Sequence, residues 1–216
     1  MDVGVLTFVT AVLLLLALRA TVRAINQRNL YASRGRAIWA TILVVLTLVA
    51  GWFEVGHHRQ VSLVSQGMSA LTSNPEARAD CQRFSEAFFN LGTYDGFVYW
   101  DDPYTAIFAN GSCRDVLRYA TSNKSNPTLE QIMAVHLIAH ETMHVEGHRT
   151  EADAECRAVQ LNHLVAMKLG ANEGQARYLQ KRYFDEVYPR MRSDYTSDQC
   201  REGGEYDIFP ERTTFP

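Results

Sequence analysis

Residues His140-Glu141-Thr142-Met143-His144 form the pattern HExxH. Two histidines four apart lie on one face of a helix, so both imidazoles can reach one metal ion, and Glu141 between them can face a water held by that ion. The chemistry of such a set is hydrolysis. Zinc lowers the pKa of bound water from 15.7 towards about 7, and the carboxylate takes the proton as the water attacks a carbonyl. Random order would produce the pattern about once in a hundred chains of this composition. The competing reading is a solvated polar helix face, but the neighbours Ile132, Met133, Val135, Leu137, Ile138, Ala139 and Val145 are apolar. Imidazoles in a packed helix need partners, and a metal supplies one. The helix is too polar to span a bilayer, which disfavours an intramembrane protease.

A hydrolytic zinc site takes a third protein ligand and keeps its fourth position open. The downstream stretch, Val145 to Cys156, reads VEGHRTEADAEC. Gly147 allows a sharp turn, Glu151 opens the next helix near the metal, and Glu155 follows one turn later on the same face. The expected set is therefore Zn2+ on His140, His144 and Glu151, Glu141 as general base, and Glu155 accepting a hydrogen bond from a ligand imidazole. The exchanged roles of Glu151 and Glu155 stay open. Asp153 faces the other side of that helix. His136, one turn before His140, reads as a satisfied core histidine. His148 reads as exposed, and His57 and His58 as interfacial. His163 falls about 120° around the helix from Glu151, so it is discounted as a ligand. A hydrogen-bond donor to the transition state is expected, with Tyr178 and Tyr183 candidates by type only.

Elements must hold these groups in place. Thr128 with Gln131 is a capping-box pattern opening a helix to about residue 146. Thr150 caps a second helix, about 151–169, closed by Gly170. Asn172 and Gln175 open a third that runs to Tyr188-Pro189. Upstream, Asn74-Pro75 predicts a helix over about 75–90. The aromatic, β-branched stretch 93–111 predicts two short strands, near 96–100 and 104–109, joined by an Asp-Asp-Pro turn. Ser112 caps a short helix to about 120. The tail from Ser193 reads as irregular.

The first 55 residues are different material. Val3–Leu18 and Ala37–Phe53 carry no charge, and at 1.5 Å per residue reach roughly 24–26 Å, slightly short of the ~30 Å hydrocarbon core. Residues 19–36 between them hold Arg19, Arg23, Arg28, Arg34 and Arg36 and no acid. A loop this basic stays in the cytoplasm, which places the rest of the chain outside. Residues 1–55 thus form a two-span anchor and 56–216 an extracytoplasmic domain. Cys81, Cys113, Cys156 and Cys200 all lie in that domain, an even count that suggests two disulfides with the pairing undetermined. A formal net charge of −3 gives no reason to expect nucleic acid as a partner.

HExxH followed by a helical glutamate resembles the gluzincin branch of zinc metallopeptidases, and Glu151-x-x-x-Glu155 is similar to the ligand and supporting acid of that branch. The short spacing departs from it. HExxHxxG, with Gly147, is similar to the start of the metzincin motif, but Thr150 stands where the third metzincin ligand would fall. The compact HExxHxxGxxxEA form also resembles short metallopeptidase-like proteins of actinobacteria. The resemblance spans roughly residues 94–160. It implies a zincin-like catalytic domain, mainly α with a small β-hairpin or sheet (α+β), and a cleft-bordering strand able to pair with an extended peptide, for which Tyr104–Ala109 is the candidate. The expectation is a zinc metallopeptidase acting on peptide or protein at the outer face of a bacterial plasma membrane. The rival from another class is a catalytically silent metal-binding module that docks a membrane-protein partner.

Overall fold

The computed structural model of the chain describes residues 4–26, 30–83 and 95–216. The chain divides into two compact units, Met1–His58 and Arg59–Pro216.

The first unit contains α1 (Val5–Ile25) and most of α2 (Leu30–Met68). Each holds a segment long and apolar enough to cross a membrane, Val5–Ile25 and Arg34–Met68. Both are longer than the uncharged runs alone. With no proline or glycine stop after Leu18, α1 continues through Arg19 and Arg23, and its 21 residues cover about 31 Å. Within α2, Glu54 is buried. It accepts from the Thr7 hydroxyl and lies 3.4 Å from His58.

The second unit is mainly helical around a three-stranded sheet. After the end of α2 come β1 (Arg78–Cys81), β2 (Gly96–Tyr99), β3 (Asp102–Phe108), α3 (Asn110–Thr121), α4 (Leu129–Val145), α5 (Glu151–Lys168) and α6 (Glu173–Arg182). A π-helical turn, Tyr183–Val187, and a 3-10 turn, Tyr188–Arg190, follow α6, so the last α-helix ends sooner than Tyr188. The two capping boxes are present: Thr128 with Gln131 on α4, and Asn172 with Gln175 on α6. Thr150 is the N-cap residue of α5, but its side chain makes no capping hydrogen bond. Gly147 and Gly170 take φ of +96° and +93°, the left-handed conformation that ends a helix at lowest cost on glycine. Helix α3 begins at Asn110, before Ser112, on an uncapped Ala109.

Residues 78–81 form a strand, not the helix predicted there; the rest of that prediction, 84–90, lies outside the described residues. Asn74 does act locally: its Oδ1 accepts from Glu76 N–H. That contact closes a turn, and parallel pairing with β3 takes the chain from there. Tertiary pairing overrides a weak helical preference of this kind. The sheet order is β1-β3-β2, with β2 antiparallel to β3. β3 begins at Asp102, so the reversal sits one residue earlier than Asp-Asp-Pro suggests. β3 is central and paired along both edges. The strand expected to border the cleft is therefore not available to a peptide, and among the described residues β2 is an edge.

The core lies where α4 and α5 cross beneath the sheet, with Phe108, Val116, Ile132, Val135, Ile138, Val159 and Leu179 buried. The end of α2 joins it: a Cβ on Gly67 would lie 3.1–3.2 Å from Ile138 and Val165. Two disulfides close the unit, Cys81–Cys113 between β1 and α3, and Cys156–Cys200 between α5 and the tail.

Candidate metal centre

Helix α4 is buried on most of its circumference, with Ile132, Val135 and Ile138 in the core and His136 and His140 buried along one stripe of the same helix. His140 and Glu141 are buried, and His144 is half-buried. After the Gly147 turn, α5 returns along α4 and brings Glu151 and Glu155 to the histidines. Three atoms converge: His140 Nε2, His144 Nε2 and Glu151 Oε2. They are separated by 3.1 Å between the two nitrogens, 3.1 Å from His140 to Glu151, and 3.3 Å from His144 to Glu151.

The outer nitrogens of both rings are committed as donors. His140 Nδ1 lies 2.9 Å from Glu155 Oε2, and His144 Nδ1 lies 2.7 Å from the carbonyl oxygen of His148. A carboxylate and a carbonyl only accept, so the proton of each neutral imidazole sits on Nδ1 and the lone pair on Nε2. Two lone pairs and a carboxylate oxygen then face one another, an arrangement that requires positive charge at its centre. The demand shows in the proton affinities. Burial would lower His140, but hydrogen bonds to Glu151 and Glu155 raise it to about 10. Hydrogen bonds from His140 and His144 hold Glu151 well below the usual carboxylate range. These three residues could hold a metal ion.

A second group, His136, His140 and Glu155, has the composition of a metal site as well, but its hydrogen bonds close without an ion. Glu155 is 1% exposed and accepts from His136 Nε2 at 3.0 Å, from His140 Nδ1 at 2.9 Å and from the Tyr183 hydroxyl at 2.6 Å. The Asn162 amide donates to His136 Nδ1 at 3.1 Å. Burial would raise the Glu155 carboxyl, yet His136 and His140 keep it well below the usual range. Glu155 therefore orients His140, and His136 with Tyr183 orients Glu155. The His136 and Tyr183 rings stack at 3.5 Å between centroids.

Glu141 stands apart from both groups. Its Oε2 is buried with no hydrogen-bond partner among the described residues. Burial raises its carboxyl to about 7, against the pull of His140 and His144. Its other face lies against Gly96 at the start of β2, where a Cβ would come within 2.9 Å of Oε1. The cleft above these groups has a volume of about 400 Å³ and is lined by β2, His140, Glu141, His144, Glu151 and Tyr195. Tyr195 stacks on His140 with centroids 5.6 Å apart, and its hydroxyl is raised to about 12 by burial and by Glu151 and Glu141.

Other residues singled out from the sequence fall elsewhere. His148 is not free in solvent: its Nδ1 lies 2.7 Å from Asp153 Oδ2, and Arg157 donates to Asp153 Oδ1 at 2.6 Å. The pair closes the turn whose carbonyl orients His144. His163 is buried on α5 away from the convergent donors. Tyr178 is exposed beneath Arg182, and Tyr183 spends its hydroxyl on Glu155. Sequence reasoning missed Tyr195, Gly96 and Asn162. One signal was available for Tyr195. It stands five residues before Cys200, whose partner Cys156 adjoins Glu155.

Comparison with protein-family models, curated proteins and solved structures returns no match.

Proposed function

We propose that the chain is a membrane-anchored, zinc-dependent metallopeptidase with a zincin-like catalytic domain, His140, His144 and Glu151 as ligands and Glu141 as general base. The observation that carries this reading is the triangle of lone-pair atoms. Donors bound tetrahedrally at about 2.0–2.1 Å lie about 3.3 Å apart, and the three separations here are 3.1, 3.1 and 3.3 Å. The N2O donor set suits zinc, and only three protein atoms contribute, which is the pattern of a catalytic rather than a structural site. A bound zinc would supply Lewis acidity to water and to a substrate carbonyl.

The remaining work belongs to the chain. Glu141 has one free, buried carboxylate oxygen and a pKa near neutrality, so it accepts a proton from the attacking water and returns it to the departing amine. Glu155 holds His140 in one tautomer. Tyr195, stacked on the His140 ring and lining the cleft, is the candidate hydroxyl for the developing oxyanion. Among the described residues β2 is an edge strand, the position where an extended peptide can add by backbone pairing. The basic loop between the two apolar helices, together with two disulfides, supports a domain on the outer face of a bacterial plasma membrane.

The test compares purified full-length wild type, Glu141→Gln, Glu151→Ala and Glu155→Ala for zinc content and peptide hydrolysis. Glu141→Gln should keep its zinc and lose about 10²–10⁴ in rate. Glu151→Ala should lose zinc, and Glu155→Ala should weaken its retention about 10–100-fold. Zinc lost only from Glu155→Ala would reverse the ligand assignment. Hydrolysis undiminished in Glu141→Gln would exclude Glu141 as base. A zinc-bound wild type that cleaves nothing and captures a stoichiometric membrane partner would point to the silent module.

A further inference from the structure

The cleft above the three convergent donors adjoins a second cavity of about 360 Å³. The two share Gly96, His140, Glu141 and Tyr195, so a chain laid across Glu141 finds room on both sides of that carboxylate. Their chemistry differs. The first has the β2 backbone and the aromatic side chains of Phe97, Tyr99 and Trp100 along one wall. The second has Met133, Leu137 and Met191, with Arg190 and Arg192 at its rim.

Of the other charged groups of the second cavity, all but Asp95 have a partner or a role. Glu155 is saturated by three donors, and Glu141 belongs to the reaction. Arg192 is paired with Asp194 at 2.6 Å. Asp95, ahead of β2, is the remaining acid. The exposed Arg190 guanidinium makes no hydrogen bond or close ion pair among the described residues; it helps to hold the Glu186 carboxyl down, but that carboxylate is taken by Arg182 through two hydrogen bonds. An exposed guanidinium with no hydrogen-bond partner among the described residues, lining a cavity that also holds two methionines, is complementary to an apolar group with an anionic neighbour.

We propose that this second cavity is the pocket that sets cleavage specificity, taking an apolar side chain of a polypeptide and placing an adjacent carboxylate on Arg190. The inference rests on the peptidase reading above. The carboxylate belongs either to an acidic side chain or to the C-terminus of the substrate, and the guanidinium recognises both by the same bidentate chemistry.

The experiment uses zinc-loaded full-length protein in detergent and peptides of equal length. Each carries an apolar residue followed by Glu, Gln or Lys, with the C-terminus free or amidated. Wild type should prefer Glu over Lys by about ten-fold or more in kcat/KM, and Arg190→Glu should invert that order. Met133→Trp, at an exposed position on the cavity wall, should raise KM for large apolar residues and spare alanine. Preference that survives amidation assigns the carboxylate to a side chain. Preference abolished by amidation assigns it to the C-terminus; both support the pocket. If Arg190→Glu does not fold, Arg190→Gln should flatten the preference. Cleavage with no charge preference, or a preference unchanged in every variant, overturns the pocket and leaves the peptidase reading standing. A zinc-bound wild type that cleaves none of the peptides overturns that reading, and the pocket with it.

Discussion

At the scale of single residues, the general base of the proposed reaction depends on a residue with no side chain. Gly96 leaves the space that the Glu141 carboxylate fills, and a methyl group there would overlap Oε1 at 2.9 Å. Gly96→Ala should therefore push the carboxylate out of line, lowering kcat by about 10–100-fold while zinc content is unchanged. Metal analysis beside single-turnover rates would separate the two effects, and an unchanged kcat would show that Glu141 tolerates displacement. His163 raises a separate matter. Burial, together with Arg177 and Arg212, lowers its pKa to about 4 against a hydrogen bond to the Gln160 backbone. The folded protein thus takes up this proton later than the unfolded chain does. The stability due to the neutral ring is complete above about pH 6.5 and is lost as pH falls through about 4. His163→Leu should remove that sensitivity, so the stability difference between variant and wild type should shift by about 2 to 3 kcal/mol in favour of the variant across that window. Thermal melts across the window would measure it, and parallel curves would show that His163 titrates normally.

At the scale of elements, the α4–turn–α5 hairpin does most of the assembly. Its start is a capping box, its bend is Gly147 in the left-handed region, and its closure is the His148–Asp153–Arg157 chain of contacts. Arg149 in the same bend lies over the Trp100 ring at 5.5 Å, which ties the turn to the tip of the β2–β3 hairpin. The fourth participant is the tail. It has no regular element of its own, so Tyr195 is held over His140 by what anchors the tail, and the Cys156–Cys200 bridge is the covalent part of that anchor. Replacing both cysteines by serine should cost about 3–4 kcal/mol of stability for a loop of this length. It should also lower the rate more than Cys81→Ser/Cys113→Ser, because only the first bridge restrains Tyr195. Rates measured below the melting temperature of both double variants would decide this, with equal losses counting against a role for the tail.

At the scale of the whole molecule, the proposed topology follows from charge. Five arginines lie between the two apolar runs, and the proposed topology therefore puts residues 56–216 outside. Protease added to intact spheroplasts should digest the second unit and leave the anchor, while a reporter inserted in the basic stretch between the two apolar runs should be protected. Protection of the second unit would invert the topology and remove the oxidising environment its disulfides call for.

The HExxH pattern with its intervening carboxylate, the two glutamates that face it, the capping boxes and the terminating glycines of α4 and α5 were legible in the linear chain. Each is a local pattern whose spacing follows from 3.6 residues per turn or from the φ a glycine tolerates. So were the two apolar runs and the even count of cysteines. What the linear chain did not contain was anything decided by contact between distant segments. The helix predicted from Asn74-Pro75 became a strand at Arg78–Cys81 because β3 offered it a parallel partner. The central rather than edge position of β3 followed from that same pairing. The cysteine connectivity, the place of Tyr195 over His140, and the fit of Glu141 against Gly96 all join residues many positions apart. Local sequence sets which conformations a segment prefers by fractions of a kcal/mol per residue, and packing across the core decides which of them is kept.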